Sequence, residues 1–321
     1  VSTRDELLGF FEENKGEYLS GEDIAARLDI SRTAVWKAVN TLRSDGYPIE
    51  AVKTRGYCLP ADTDIVSSRG IKKYLKADLD IEVYDEVVST NNVLKERASK
   101  GAGEGLVIIA NSQTGGKGRL GRTFFSPLDS GVYISILLRP ADMEPQKALR
   151  ITTMAAVAAS DAVEEVSGKT APIKWVNDIF VDGLKVAGIL TEASVSMENG
   201  SLEYAVLGIG FNVYEPEGGF PDELKMIAGA IFDRHEPDAK NRLTAAFLNN
   251  FVKIMNDKDQ SLYAKRYKEK SMVIGRNVNV ITPVSSRRAK VLDITDDCAL
   301  KVEYEDKTTD IISTGEVSIR P

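Results

Sequence analysis

Apolar positions near the N-terminus recur at helical spacing, and alternation dominates many of the segments that follow. In YLSGEDIAARLDISRTAVWKAVNTLRSDGYPIEAV, Ile24, Ala25 and Leu28 share one face behind Ser20, and Val35, Val39 and Leu42 share another behind Ser31. Each serine stands where a side-chain oxygen can accept from the free amides of a first helical turn. Two capped helices broken at Asp29-Ile30 are therefore predicted, a helix-turn-helix. Asp45-Gly46 turns the chain into YPIEAV, and KTRGYCL returns as the second strand of a hairpin, the wing of a winged helix.

ADTDIVSSRGIKKYL resets the pattern with a polar, non-periodic stretch and predicts a boundary near residue 62. Beyond it IEVYDEVV reads as a strand, STNNVLKERASKG as a helix capped by Ser89 or Thr90 and closed by Gly101, and LVIIANSQT and GVYISILL as further strands. IKWVNDIFVDGLKVAGILTEA reads as a hairpin: strand Ile173 to Val181, a turn at Asp182-Gly183, then strand Leu184 to Ala193. Strict alternation would put Lys185, Ala187 and Ile189 on one face and Val186, Gly188 and Leu190 on the other. AVLGIGFNV is another such run, and from Ser271 onward NVNVITP, RRAKVLDIT, ALKVEYED and TTDIISTGEVSIR predict the short strands of a small β-barrel. The expected division is 1–62, 63–270 and 271–321.

Composition narrows the function classes. The 321 residues carry a net charge of −7, which excludes a uniformly basic nucleic-acid binder but leaves room for a local basic face. Arg32, Thr33, Lys37, Asn40 and Arg43, with Ser31 at the cap, provide one on the second helix of the helix-turn-helix, and Lys53 and Arg55 add phosphate contacts from the wing. DNA is the expected ligand there, with a protein-contact helical domain as the alternative. Cys58 and Cys298 are too far apart to imply a disulfide framework, and no metal-ligand spacing is visible. Without a signal-like N-terminus or a run of about 18 apolar residues, a cytoplasmic chain is expected. His235 is the only histidine and lies among charges, so a catalytic triad built on histidine is not expected.

Candidate chemistry concentrates in SQTGGKGRLGR, residues 112–122, with four glycines, three cations and no acid. Such a loop lets backbone approach an anion closely. Gly116 to Gly121 satisfies G-x-G-x-x-G as a string, but a strand pattern rather than a helix follows, so the dinucleotide reading fails. Lys117 is followed by Gly118, not Ser or Thr, and the P-loop reading fails as well. What remains is a strand–loop–strand whose Lys117, Arg119 and Arg122 clamp an anion lying across a sheet. Lys185, embedded in an apolar strand, also calls for an anionic partner. Gly208 and Gly210 allow close approach, and Asn212 offers an amide suited to an adenine edge.

SQTGGKGRLGR, KWVNDIFVDGLKVAGIL and GIGFNV, in that order behind a helix-turn-helix, resemble the biotin–protein ligases, in particular the bifunctional ligase/repressor group, over essentially the whole chain. Two departures stand out: Lys117 where the family has Arg, and Val176 where KWPND has Pro. The resemblance implies an α+β multidomain fold. A winged helix-turn-helix would be followed by an α/β catalytic domain with a mixed sheet, of the class II aminoacyl-tRNA synthetase and biotin ligase kind, and by an SH3-like β-barrel. It implies that Ser89, Thr90, Asn91 and Gln113 bind the ring system of biotin. Lys117, Gly118 and Arg119 would lie in the loop that orders over biotin and its adenylate, and Lys185 would contact the biotin carboxyl and the α-phosphate. Arg122, Phe124, Asn212 and Phe220 would face the nucleotide. Glu316 and Arg320 are weighed as nucleotide contacts against surface charges.

The implied substrates are biotin and ATP with Mg²⁺. The implied partners are a biotin carboxyl carrier protein of acetyl-CoA carboxylase, operator DNA and a second copy of the chain, whose pairing biotinyl-5′-AMP promotes. A carboxylate attacking the α-phosphate is already ionised, so the first step needs charge stabilisation by Arg119 and Lys185 rather than a base. Asp178 is the candidate for polarising the acceptor amine in the second step or for orienting Arg119. Two rival readings are a biotin-sensing regulator without ligase activity and a ligase for lipoate or another acyl acid.

Overall fold

The computed structural model describes residues 2–140, 148–195, 202–259, 261–281 and 286–318. Its contacts divide into two compact units, one of Val1–Lys76 with Arg234–Ala245, the other of Ala77–Asp233 with Ala246–Pro321.

The first unit contains α1 (Thr3–Glu13), α2 (Gly21–Leu28) and α3 (Arg32–Ser44) around Leu7, Leu8, Phe11, Ile24, Val35, Val39 and Leu42. The predicted caps form: Ser20 Oγ accepts from Asp23 N at 3.0 Å and Ser31 Oγ from Ala34 N at 3.1 Å. Asp29, in the left-handed region, ends α2. The wing is β1 (Glu50–Val52) paired with β2 (Gly56–Cys58), and Tyr57 also bridges Leu19. Gly56 has φ +100°, and a Cβ there would fall 2.0 Å from Leu19 O, so this wing position requires glycine.

Residues 63–76, which the sequence assigns to the next domain, pack within this unit. They include α4 (Ser68–Lys72), and Ser67 N donates to Asn241 Oδ1. Beneath them lies a buried charge cluster. Asp238 accepts from Lys15 Nζ, from Tyr74 Oη at 2.8 Å and from Lys73 Nζ at 3.3 Å, while Glu12 pairs with Lys15 at 3.1 Å.

The second unit is built on a seven-stranded mixed sheet of order β3-β4-β5-β9-β8-β7-β6. The strands are β3 (Asp80–Val87), β4 (Leu106–Gln113), β5 (Gly131–Leu138), β6 (Ile173–Lys174), β7 (Asp178–Val181), β8 (Leu184–Val195) and β9 (Leu202–Asn212). β3 and β4 run parallel; every other neighbour is antiparallel. One face carries α5 (Thr90–Ser99), whose Leu94 and Ala98 pack with Ile108, Leu137 and Val206. The other carries α6 (Ala148–Ser167), which reaches β8 through Thr152 and Thr191, 2.7 Å apart. α8 (Ser261–Glu269) and the part of α7 (Ala239–Met255) from Ala246 onward complete its helices.

The hairpin expected from Ile173 to Ala193 needs two corrections. Its first strand is not continuous: the chain reverses through Trp175-Val176-Asn177, with a cis Trp175–Val176 peptide, so that β6 pairs back on β7. Two buried hydrogen bonds hold this corner, Trp175 Nε1 to Cys298 O at 2.9 Å and Tyr267 Oη to Val176 O at 3.0 Å. The second correction is a bulge: Ile179 pairs Ala187 but Phe180 pairs Lys185, leaving Val186 as an extra residue in β8. A bulge resets the alternation, so Lys185 leaves the face of Ala187 and Ile189 and joins that of Gly188.

The C-terminal segment forms a five-stranded antiparallel sheet of order β13-β12-β11-β10-β14. Its strands are β10 (Asn277–Ile281), β11 (Ser286–Ile294), β12 (Leu300–Tyr304), β13 (Thr309–Ile312) and β14 (Glu316–Ser318). Both cysteines are free and buried. No helix among the described residues is long and apolar enough to cross a membrane.

Candidate functional site

Strand register places five residues in one row across the second unit's sheet: Tyr133 opposite Gly210, Gly210 opposite Gly188, Gly188 opposite Asp178, Asp178 opposite Lys174. Residues directly opposite share a face, and this is the face of α5. The two glycines are the floor. A Cβ on Gly210 would come within 2.4 Å of the Phe124 ring, and one on Gly188 within 3.1 Å of both that ring and Lys185 Nζ. Phe124, a predicted nucleotide contact, thus lies across the floor, edge-on to Tyr133 with ring centroids 6.3 Å apart.

On one side of Phe124 is a small pocket of about 20 Å³ lined by Ser89, Thr90, Asn91, Gln113, Lys117, Leu190 and Gly208. All four predicted ring-binding residues meet there. Ser89 occupies the cap position of α5 without making a side-chain cap, so the simple capping role is not realised. Gln113 Oε1 accepts from Thr90 N at 2.9 Å and from Thr90 Oγ1 at 3.1 Å, and Gln113 Nε2 donates to Ser126 Oγ. Asn91 Oδ1 accepts from Ser135 Oγ at 2.6 Å, and Asn91 Nδ2 donates to Glu192 Oε2 at 2.8 Å. These bonds fix the orientation of both side-chain amides in the pocket wall. Ser135, Ser126 and Glu192 were not among the predicted residues. The signal for Ser135 was present, one hydroxyl inside the otherwise apolar GVYISILL.

On the other side opens a cavity of about 1120 Å³ whose lining includes Lys174, Asp178, Lys185, Asn212, Phe220 and Glu316. Lys185 Nζ and Asp178 Oδ1 form a half-buried ion pair at 2.6 Å, which supplies the partner that an apolar strand demands of its lysine. Asn212 Nδ2 donates to Gly229 O at 3.1 Å, and Phe220 is buried beside the same cavity. Backbone bonds from Lys185 N to Ile227 O and from Gly229 N to Lys185 O tie the lysine's strand to the Phe220 segment.

The basic loop closes as a small hairpin: Lys117 bridges Thr123, and Gly118 N donates to Arg122 O at 2.7 Å. Its three cations spread over several acceptors. Lys117 Nζ donates to Asn92 Oδ1, and Arg119 donates to Asn177 Oδ1 at 3.1 Å and to Gly315 O at 2.9 Å. Arg122 forks onto both Glu316 oxygens at 2.8 and 2.7 Å. Arg119 is therefore oriented by Asn177 and not by Asp178, whose partner is Lys185. Glu316 is an ion-pair acceptor for the loop rather than a loose surface charge, and Arg320 lies outside the described residues. Among those residues no cluster of three His, Cys, Asp or Glu side chains could hold a metal ion.

In the first unit, Ser31, Arg32, Thr33 and Lys37 are exposed on α3, with Asn40 half-buried below them. Arg43 points elsewhere. Its Nε and Nη2 both donate to Ile49 O, at 2.8 and 2.7 Å, so it braces the start of the wing. Trp36, not predicted as a contact, is 57% exposed on the same helix. Arg55 stacks over Tyr18 at 3.9 Å, leaving Lys53 as the freer cation of the wing.

Comparisons with known proteins agree with this geometry. Residues 84–212 match the Biotin/lipoate A/B protein ligase family, residues 3–58 an HTH domain, and residues 273–320 the biotin protein ligase C-terminal domain. The bifunctional ligase/repressor BirA of Bacillus subtilis (strain 168) is 38% identical over 231 residues, covering 71% of this chain and 70% of that protein. The biotin–[acetyl-CoA-carboxylase] ligase of Mycobacterium tuberculosis is 29% identical, covering 74% and 88%. Among solved structures, a biotin protein ligase from Aquifex aeolicus in complex with biotin and ATP superposes with a TM-score of 0.62 at 26% identity, covering 75% of this chain and 98% of that one. The chain belongs to the family of bifunctional biotin ligase/repressors.

Proposed function

We propose that this chain condenses biotin with ATP to biotinyl-5′-AMP and pyrophosphate and then transfers the biotinyl group to one lysine of the biotin carboxyl carrier protein of acetyl-CoA carboxylase. Loaded with the adenylate, it represses the genes of biotin synthesis. The observation that carries the ligase reading is one sheet face on which a hydroxyl-and-amide pocket and a cavity edged by Lys185, Arg119 and Arg122 lie on either side of Phe124, over the floor of Gly210 and Gly188. The first end offers hydroxyls and amides to a bicyclic urea and the second offers cations to a nucleotide; Phe124 would move off the glycines for the reacting carboxyl and α-phosphate to meet there.

Chemically, the biotin carboxylate attacks as an anion. Lys185, held by Asp178, and Arg119, held by Asn177, supply fixed positive charge where the pentavalent phosphorus develops negative charge. In transfer, the acceptor amine attacks the mixed anhydride and AMP leaves. Asp178 is the carboxylate in the row that can take the amine's proton. Mg²⁺ would come with the triphosphate. An ion of that kind keeps its waters and substrate phosphates with one or two carboxylates, and Asp178 is available to it; when bound it neutralises charge on the phosphates. Asn212 and Phe220 would hold the adenosine, and Gly118 and Lys117 would close over the adenylate.

The repressor reading rests on the exposed face of α3 and the wing. Biotinyl-5′-AMP would favour a homodimer that places two winged helices on a palindromic operator. In this reading the functional parts are 1–62, 63–270 and 271–321, the last an SH3-like barrel and the middle one related to class II synthetases, all working in the cytoplasm.

The deciding experiment is pyrophosphate exchange into ATP with biotin, lipoate or no acid, followed by single-turnover transfer to a carrier domain. Biotin-dependent exchange and transfer support the reading. Exchange with lipoate alone would make this a lipoate ligase, and binding of biotin without exchange would leave a sensor only. Sedimentation with and without biotin and ATP tests the dimer, and an unchanged association constant would remove it.

A further inference from the structure

Lys174 is a cation of the large cavity that is not engaged. Around it Lys185 is paired with Asp178, Arg122 with Glu316, and Arg119 is bound to Asn177 and Gly315 O. The Lys174 ammonium makes no hydrogen bond or ion pair among the described residues, although it lines the same cavity. Burial holds its ammonium below the ordinary lysine range, with Asp178 and Glu316 pulling the other way. With Lys117 and Arg276 the lining carries six cations against two carboxylates, Asp178 and Glu316, and the positive charge left over exceeds what those two can meet. A half-buried ammonium in that position is stabilised by a ligand anion.

Its place in the row says which anion. Lys174 lies on the edge strand β6, opposite Asp178 and two strands out from Gly188, while the polar ring pocket lies toward the sheet centre around Gly208. Strands are about 4.8 Å apart, so Lys174 stands roughly 10 Å beyond the glycine floor. In phosphoryl-type transfer the attacking and leaving oxygens lie in line on opposite sides of phosphorus. An acid anchored at the centre of the sheet attacks outward, and the leaving group departs toward the edge.

We propose that Lys174 binds the β- and γ-phosphates of the nucleotide and receives the pyrophosphate released in adenylation. This deepens the ligase reading given above and rests on it. A carboxylate oxygen forms a bond to the α-phosphorus, the bond from that phosphorus to the bridging oxygen of the β-phosphate breaks, and its electron pair leaves with pyrophosphate. No proton moves, and the fixed charge of Lys174 stabilises the departing anion. Biotinyl-5′-AMP carries no β-phosphate, so once it has formed Lys174 has nothing further to hold.

The test compares wild type, Lys174→Met and Lys174→Arg in the two half-reactions, with thermal unfolding midpoints measured alongside. The proposal expects biotin-dependent pyrophosphate–ATP exchange to fall by about 100-fold in Lys174→Met, with a raised KM for pyrophosphate and substantial recovery in Lys174→Arg. It expects single-turnover transfer from preformed biotinyl-5′-AMP to a carrier domain to remain within about twofold of wild type, a tolerance of roughly 0.4 kcal/mol. Equal losses in both half-reactions in a folded Lys174→Arg protein would overturn it, as would unchanged exchange in Lys174→Met. A wild-type protein without exchange would overturn the ligase reading itself, whereas exchange that ignores residue 174 overturns this inference alone.

Discussion

Gly208 lies so close beneath Asn91 that a Cβ built on it would stand 2.2 Å from Asn91 Oδ1. Asn91 is pinned between Ser135 and Glu192, so it cannot yield without breaking one of two short hydrogen bonds. Gly208→Ala is therefore expected to raise the KM for biotin by about 10- to 100-fold, the loss of one to two hydrogen bonds, and to leave the KM for ATP within about twofold. Steady-state kinetics with each substrate varied in turn checks this. A shift confined to ATP would place Asn91 on the nucleotide.

The Lys185–Asp178 pair makes an asymmetric prediction. Lys185→Ala removes charge facing the reacting phosphate and should lower adenylation by about 100- to 1000-fold. It also leaves Asp178 without its ammonium, and adding Asp178→Asn should recover roughly 1 kcal/mol of stability, allowing for the solvent that reaches the pair, without recovering activity. Urea melts of the single and double variants, read beside pyrophosphate exchange, separate the two effects.

On α3, Lys37 and Arg43 should behave differently although both are cations near the reading face. Lys37 is exposed, and Lys37→Ala should reduce the salt slope of operator binding by about one. Arg43 is engaged with Ile49 O, so Arg43→Ala should weaken binding through the wing, cost about 1 kcal/mol of stability and leave the slope nearly unchanged. Titrations at several salt concentrations distinguish them. Operator binding should also quench Trp36, since the other tryptophan, Trp175, is buried.

The charge cluster of the first unit predicts a pH dependence. Burial alone would raise the Asp238 pKa, but Lys15, Tyr74 and Lys73 hold it below the ordinary carboxylate range. A lowered folded-state pKa stabilises above the unfolded value, near 3.9, and that contribution fades as pH falls through the folded one. Asp238→Asn should therefore cost about 3 kcal/mol at pH 7, and the gap from wild type should close below about pH 4. Denaturant melts of wild type and Asp238→Asn at a series of pH values check this.

Local signals were legible where one residue fixes its own geometry. Ser20 and Ser31 cap their helices, Asp29 breaks them, and Ser89, Thr90, Asn91 and Gln113 meet as their strand and helix dictate. What escaped was set by distant contacts. α6 and α7 carry none of the motif residues that mark the other segments, and the reversal at Trp175-Val176 depends on Tyr267 and Cys298, about a hundred residues away in sequence. Asn177 as the holder of Arg119, and Glu316 as the partner of Arg122, join segments whose sequences carry no mark of each other. The α3 face was read correctly as polar, but Arg43's turn toward Ile49 requires the wing to be in place first.

Val186 is the residue that β8 carries in excess of its partner strand, and Lys185 owes its side of the sheet to it. Paired without that bulge, the same letters would alternate strictly and turn the ammonium toward α6, away from Asp178. The family's chemistry thus depends on a phase as well as on an inventory of residues: two chains with every signature letter intact can differ in whether the lysine meets phosphate or methyl groups. Counting matching letters cannot tell them apart, and the pairing of Phe180 with Lys185 can.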